Sequence, residues 1–322
     1  MRMQAETDIL MQLRIARAWY AAQEIRSFEL VKQDGSKLPP FTPGSHVKVR
    51  VPNGELRKYS LCNDPADRGR YVIAVKRETG GRGGSISLVD GAQEGDILPT
   101  SFPDNAFALA DAAAGNLFIA GGIGITPIMA MIHSLGERPA VPWTLHYCTR
   151  SPEATAFLQE LTAPGLTGQV HIHHDYGDPA RSFDLWPVLE RPTGAHLYCC
   201  GPRGLMEAVR DMSGHWQHSH VHFESFNEGG GVRAHDQPFV VKLARSGRAF
   251  EIPVGETILG VLRETGLRLA SSCESGTCGT CRTTLISGAA DHRDMVLMPH
   301  EMADQIMICV SRARSPELVL DL

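Results

Sequence analysis

The sequence has no uninterrupted apolar run long enough to cross a bilayer. Its most apolar stretch, residues 117–132, is cut by Gly121, Gly122, Gly124 and Pro127. A spanning helix needs about 20 apolar residues in succession. There is no basic block either: 31 Lys and Arg stand against 36 Asp and Glu, for a formal net charge of −5. The electrostatic footprint of a nucleic-acid binder is therefore missing. No internal repeat and no low-complexity tract is present, which argues against a solenoid. Arg2, Glu6 and Asp8 precede any apolar segment, so a secretory signal peptide is not expected. Eight cysteines spread over 322 residues are too dilute for a disulfide framework. A reducing, cytoplasmic setting is expected, with neither membrane nor nucleic acid as partner.

What is present starts with four of those cysteines. Cys273, Cys278 and Cys281 are spaced C-x4-C-x2-C, and Cys309 follows after 27 intervening residues within the apolar run 306–310. This is the plant-type spacing for a 2Fe–2S cluster, in which three thiolates come from one loop and the fourth from a distant strand. Gly276 and Gly279 allow positive φ and bring backbone N–H groups toward inorganic sulfide. Ser271, Ser272, Ser275, Thr277 and Thr280 are small enough not to crowd it. A structural zinc site is the alternative, but zinc usually pairs C-x2-C with a second short pair. Cys62, Cys148, Cys199 and Cys200 read by default as small core residues.

The length predicts two or three domains. Residues 1–108 lack long helical periodicity. Candidate strands at 44–51, 71–76 and 96–98, with Gly and Pro turns, predict an antiparallel β-barrel. Residues 109–226 alternate strands (116–120, 142–147, 170–174, 196–199, 221–223) with helices (127–135, 153–161, 205–212), the pattern of a parallel α/β sheet. Ser151 is the expected N-cap of the helix over 153–161, with Pro152 at its first position. Residues 227–236, with Gly229, Gly230 and Gly231 in a row, read as a flexible linker. From 237 to 322 a hairpin (238–244, 249–253), a helix (257–265), the cysteine loop and strands at 282–286, 305–310 and 317–322 predict a small β-grasp-like domain.

Two segments read as nucleotide sites. Gly121, Gly122, Gly124, Thr126 and Pro127 follow a strand and open a helix, where glycines admit a pyrophosphate and the helix N-terminus favours the anion. Cys200, Gly201 and Pro202 end another strand of the same sheet, on the side where such sheets bind ligands. A thiol there is small and soft enough to sit beside a nicotinamide ring, although a buried core thiol is an equal reading. In the barrel segment, Arg57, Tyr59 and Ser60 supply a guanidinium for phosphate, a ring for stacking and a hydroxyl for a flavin ring atom. Lys76, Arg82, Gly84 and Ser85 lie in the next basic and Gly-rich stretch, with N–H and hydroxyl donors for a phosphate. Each piece taken singly also fits a solvated basic face.

In chain order, R-x-Y-S-L, G-G-I-G-I-T-P, C-G-P and C-x4-C-x2-C resemble the ferredoxin–NADP reductase superfamily. The order of modules resembles the phthalate dioxygenase reductase group, the reductase components of Rieske oxygenases. Residues 59–64, 73–77, 222–226, 271–279 and 291–297 carry further likeness. The resemblance implies FMN, NADH and one 2Fe–2S cluster. It assigns Arg57, Tyr59 and Ser60 to the flavin, with Arg82, Gly84 and Ser85 near its phosphate. It assigns residues 121–127 and Cys200 to the nicotinamide nucleotide. Cys200 and Ser60 are the candidates for the hydride-transfer step. Lys58 stands where the family commonly carries Thr and offers charge in place of a hydrogen bond to the flavin phosphate. Asp175, after the strand at 170–174, is placed to accept bonds from an adenosine ribose and to disfavour a 2′-phosphate; Arg150 and the nearby histidines argue the other way.

Electron counting gives the order of cofactors. NADH delivers two electrons at once, a 2Fe–2S cluster takes one, and FMN sits between them. The expected acceptor is the Rieske component of a ring dioxygenase or O-demethylase; a different monooxygenase or a soluble carrier is the alternative. The glycines at 229–231 are a candidate hinge, and residues 291–294 are expected to form a solvated loop. The rival of another class is a zinc-stabilised interaction module on a degenerate nucleotide-binding scaffold.

Overall fold

A computed structural model describes residues 10–81, 83–111, 114–136, 140–226, 233 and 235–322. The chain divides into two compact units, Met1–His222 and Phe223–Leu322. Among the described residues no helix is long and apolar enough to cross a membrane.

The first unit begins with β1 (Met11–Ala22), β2 (Ile25–Lys32), β3 (His46–Arg50), β4 (Leu56–Ser60), β5 (Tyr71–Lys76), α1 (Gly84–Gly91) and β6 (Ile97–Thr100). The strands form an antiparallel sheet in the order β4-β3-β6-β1-β2-β5. A bridge between Leu61 and Ile73, with the Cys62 N–H donating to the Val72 carbonyl at 2.9 Å, joins the two outer strands and closes the barrel. The β1–β2 hairpin turns through Gln23 and Glu24, with Glu24 at φ 59°. Glycine or asparagine usually marks such a turn, so this hairpin carries no sequence signal. β5 is apolar throughout because its two faces serve two cores. Tyr71, Ile73 and Val75 pack with Phe28, Leu30 and Leu88, while Val72 and Ala74 join Phe118, Ile128 and Met131.

The second layer is a parallel sheet of β7 (Asn116–Gly121), β8 (Trp143–Thr149), β9 (Gln169–His174), β10 (His196–Cys200) and β11 (Val221–Glu224), ordered β11-β10-β7-β8-β9. Its helices are α2 (Ile125–Gly136), α3 (Leu158–Leu161), α4 (Trp186–Leu189) and α5 (Arg203–Met212). From β7 the chain adds strands first on one side and then on the other. The carboxyl ends of β7 and β10 therefore flank the switch point, where open α/β sheets bind ligands.

The helix expected over 153–161 is broken. A 3-10 turn at Pro152–Ala154 is followed by Phe157 at φ 59° and only then by α3. Buried Thr155 explains the break: its hydroxyl donates to the Ser151 carbonyl at 2.8 Å and meets Thr149 Oγ1 at 2.8 Å. Side-chain bonds of this kind compete with the helical ladder. Ser151 leads the turn but its side chain caps nothing.

The second unit comprises β12 (Phe239–Leu243), β13 (Ala249–Ile252), α6 (Ile258–Glu264), β14 (Arg282–Ser287), β15 (Ala290–Asp291), β16 (Gln305–Met307), β17 (Arg312–Ala313) and β18 (Glu317–Leu320). Five strands form a mixed sheet ordered β13-β12-β18-β14-β16, with β15 and β17 paired apart. Thr257 caps α6, its hydroxyl accepting from the Gly260 N–H at 2.9 Å. β16 ends at Met307, three residues short of the expected strand. The N–H groups of Val310 and Ser311 turn back to the Met307 carbonyl at 3.3 and 3.0 Å. That turn places Cys309 in the core.

Residues 291–294 are not a solvated loop. The side chains of Arg293 and Asp294 are 2% and 0% exposed. Arg293 pairs with Asp236 and Asp291, and Arg312 lies 3.9 Å from Asp236. Residues 227–232 and 234 of the expected linker, including the candidate hinge, lie outside the described residues. Arg293→Met is expected to destabilise the second unit by about 3–5 kcal/mol, because it strands buried carboxylates. A thermal melt followed by the signal of this unit checks it. The Arg293 guanidinium holds the Asp236 carboxyl down at about 2. A depressed carboxyl stabilises the fold above its unfolded value, and that contribution is lost as pH falls from there toward about 2. Acid unfolding of the native protein should thus steepen below pH ~4, and the Asp236→Asn variant should lose that steepening.

Candidate functional site

The loop between α6 and β14 is bent by three residues in the left-handed region, Glu274 (φ 55°), Gly276 (φ 77°) and Gly279 (φ 82°). Its backbone turns N–H groups onto sulfur. Ser275 and Thr277 donate to Cys273 Sγ at 3.4 Å each, and the Cys273 N–H to Cys278 Sγ at 3.5 Å. A Cβ at Gly276 would lie 2.7 Å from Val310 Cγ2, so glycine is required where the loop packs on the Cys309 turn. The four thiols fall into two pairs, Cys273 with Cys278 and Cys281 with Cys309. Cys273 is lowered to about 4, first by the Cys278 thiol and then, against the cost of burial, by the Ser275 and Thr277 donors. Cys281 is lowered first by Cys309. This donor set fits a 2Fe–2S cluster, which takes two thiolates on each iron. Among the described residues no three His, Cys, Asp or Glu side chains gather as for a single metal ion.

Arg263, in the last turn of α6, ties this loop down. It donates to Glu274 Oε1 at 2.7 Å, to the Leu269 carbonyl at 3.0 Å and to Ser271 Oγ. Sequence reasoning missed it; a cation in the last turn of a helix before the loop was the available signal.

In the barrel, β4 ends on Tyr59 and Ser60. Both hydroxyls are buried with no hydrogen-bond partner among the described residues. An unsatisfied buried hydroxyl costs about 1–3 kcal/mol, so two at the end of one strand imply a ligand. Burial pushes the Tyr59 phenol up, keeping it protonated as a donor. Arg57 sits two residues earlier on the same strand face as Tyr59, bonded to Glu55 and, at 2.9 Å, to the Leu56 carbonyl. It lies against Gly84, where a Cβ would meet Arg57 Nε at 2.8 Å. Gly84 opens α1 behind Gly83 at φ 85°, with no acidic residue in the first turn. The Gly-rich stretch expected to offer N–H donors is here a helix N-terminus beside a guanidinium, which favours an anion. The Ser85 hydroxyl accepts from the Glu78 N–H at 3.1 Å, and exposed Lys76 pairs with Glu78 at 3.1 Å. Lys58 falls on the opposite face of β4 from Arg57 and Tyr59. Arg82 lies outside the described residues.

At the switch point the glycines allow two strand ends to touch. A Cβ on Gly124 would stand 2.2 Å from the Cys200 carbonyl oxygen, and one on Gly121 2.5 Å from Pro202 Cδ. One on Gly201 would stand 2.9 Å from Gly121 Cα. Gly122 takes φ +52° in open space, and its carbonyl accepts from the Tyr147 hydroxyl at 3.0 Å. Thr126 Oγ1 donates to the Ile123 carbonyl at 2.9 Å, and Pro127 is buried in the first turn of α2. Cys200 is 1% exposed. Asp175 is half-buried beyond β9, one carboxylate oxygen accepting from the Gly177 N–H at 2.8 Å.

Residues 241–314 match the family model described as the 2Fe-2S iron-sulfur cluster binding domain. The phthalate 4,5-dioxygenase oxygenase reductase subunit of Pseudomonas putida is 55% identical over 94% of this chain and 93% of its own. The phthalate dioxygenase reductase of Burkholderia cepacia is 52% identical over 98% and 99%. The chain belongs to the phthalate dioxygenase reductase group. A solved phthalate dioxygenase reductase, described as a modular structure for electron transfer from pyridine nucleotides to 2Fe–2S, covers 97% of this chain with a TM-score of 0.73 and 52% identity. A member of this group is an oxidoreductase, the reductase component of an oxygenase system. Its architecture is a flavin barrel, an α/β nucleotide-binding layer and a C-terminal ferredoxin domain.

Proposed function

We propose that the chain takes electrons from NADH, passes them through FMN to a 2Fe–2S cluster held by Cys273, Cys278, Cys281 and Cys309, and delivers them in the cytoplasm to a Rieske oxygenase acting on an aromatic ring or an O-methyl group. The observation that carries this reading is that the buried hydroxyls of Tyr59 and Ser60, at the end of the strand that bears Arg57, have no hydrogen-bond partner among the described residues. When bound, FMN converts a hydride into single electrons, and the cluster takes them one at a time.

Each residue has a holding or excluding task. Ser60 and Tyr59 bond and pack the flavin ring; Arg57 and the α1 N-terminus at Gly84 hold its phosphate, with Ser85 beside them. Lys58, on the other face of β4, and Lys76, paired with Glu78, are left out of this cradle, and the role of Arg82 rests on the family resemblance alone. Gly121, Gly122, Gly124, Thr126 and Pro127 bring the backbone of the β7–α2 turn to the pyrophosphate. Cys200, Gly201 and Pro202 close the nicotinamide side, where the Cys200 thiol excludes water without offering a competing acid or base. The Asp175 carboxylate accepts from the adenosine ribose, which favours NADH over its 2′-phosphate. Residues 1–108, 109–226 and 237–322 are proposed as the flavin, nucleotide and cluster domains.

An anaerobic visible titration of the holoprotein with NADH tests the reading. Bleaching of the flavin band together with the broader iron–sulfur absorbance is expected. Flavin bleaching with no cluster signal would reduce the protein to a flavin reductase. A response to NADPH alone would overturn the role of Asp175.

A further inference from the structure

The sequence stretch 291–297 is not used by the reading above, yet it packs on the cluster loop. The Met295 N–H donates to the Gly276 carbonyl at 2.9 Å, and a Cβ on Gly276 would lie 3.1 Å from Asp294 Cα. Asp294 is fixed: its Oδ2 accepts from the N–H groups of Val296 at 3.1 Å and Leu297 at 2.8 Å. Its Oδ1 faces His292 Nδ1 at 3.9 Å. The other ring nitrogen, Nε2, lies 3.0 Å from the Met302 carbonyl, which can only accept. Nε2 therefore carries the ring proton. In neutral His292 the Nδ1 is then a bare lone pair, buried and without a hydrogen-bond partner among the described residues.

Two acceptors facing each other repel, and one added proton reverses the sign of the contact. The surrounding charges are matched elsewhere. Arg293 and Arg312 turn to Asp236, and Asp291 meets Arg293, Arg233 and Arg314. On the 3-10 turn that carries Met302, Glu301 is taken by Arg282 and the Met298 N–H. The Asp294 carboxylate faces the His292 ring, with Oδ1 3.9 Å from Nδ1. The side chain of His292 is 15% exposed although Nδ1 itself is buried, so the ring edge lies at the surface and Nδ1 just beneath it.

We propose that His292 binds a proton when the cluster domain accepts an electron, so that the His292–Asp294 pair is a proton-holding site coupled to reduction. The step is balanced: one electron arrives from the flavin side, one proton leaves water for Nδ1, and both depart on reoxidation. The negative charge added at the cluster is offset by a positive one behind its loop, where the low dielectric makes that attraction larger than in water. The proposal rests on the cysteine-held cluster proposed above.

The test is a redox titration of the holoprotein at several pH values across neutrality, read from the paramagnetic resonance signal of the reduced cluster and so independent of turnover. In the native protein the reduction equilibrium should shift by up to tenfold per pH unit, about 59 mV for one electron. The His292→Phe variant should titrate without that slope while keeping its visible spectrum. His292→Asn, which can still donate to the Met302 carbonyl, should also be flat, and it decides the matter if the Phe variant fails to fold. A flat native profile, or a slope that survives in the variant that folds, overturns the proposal. Absence of any cluster signal in the native protein would overturn the cluster reading, and this proposal with it.

Discussion

Cys309→Ser should abolish the iron–sulfur spectrum and lower electron delivery to an oxygenase by roughly 100-fold or more, equivalent to about 2.7 kcal/mol or more in the barrier. NADH-driven bleaching of the flavin should continue. The asymmetry follows from where the residue sits. Cys309 is 2% exposed on the turn after β16, paired with Cys281 and flanked by Ile308 and Val310 in the core of the second unit. A serine there exchanges a soft thiolate for a hydroxyl that cannot ionise in apolar surroundings. It leaves the cores of the first unit untouched. Paired measurements on one sample, flavin bleaching by NADH and cluster content by paramagnetic resonance, check it. Retention of a full cluster signal would mean that the fourth ligand is another residue. Loss of both signals would mean that the first unit depends on the second for its fold.

The parts that were legible in the sequence are those where local chemistry and backbone need coincide. The C-x4-C-x2-C loop declares itself because its cysteine spacing and its positive-φ glycines, Gly276 and Gly279, fall together in one short local stretch. The strand–Gly–helix unit at 116–136 did so for the same reason, and β5 was legible because burial on both faces leaves an apolar run. The parts that were not legible depend on distant partners. The β1–β2 hairpin turns through Gln23 and Glu24, where nothing in the local sequence asks for a turn. Phe157 breaks the expected helix because Thr155 bonds to Thr149 on a neighbouring strand. Helix α1 begins at glycines that read equally as a loop, and only the packing of Arg57 on Gly84 shows what the helix end faces. Asp291 to Asp294 looked like a solvated charge run because an ion pair to Asp236, 57 residues away from Arg293, has no local signature. Charge runs are usually solvated; this one is buried because Arg293 pairs with Asp236 and Asp291 and one Asp294 oxygen accepts from two backbone N–H groups.

Gly124→Ala should raise the KM for NADH by at least about tenfold, with a stability loss of roughly 1–3 kcal/mol from overpacking. The added Cβ would stand 2.2 Å from the Cys200 carbonyl oxygen and 2.8 Å from the Gly201 nitrogen. These are backbone atoms of β10 and the turn after it, so no side chain can swing aside. Either α2 must withdraw from β10 or the strand end must shift. Both movements change the spacing between the β7–α2 turn and Cys200, the two walls of the proposed nicotinamide site. Flavin content should stay unchanged, because the barrel cradle is built from β4 and α1. Gly136→Ala is the matched control, since its Cβ meets nothing within 4 Å at the end of the same helix. Steady-state kinetics with NADH and a thermal melt of both variants separate the two effects. An unaltered KM in a destabilised Gly124→Ala protein would show that the contact serves packing alone, and the pyrophosphate would then have to lie elsewhere along the carboxyl edge of the sheet.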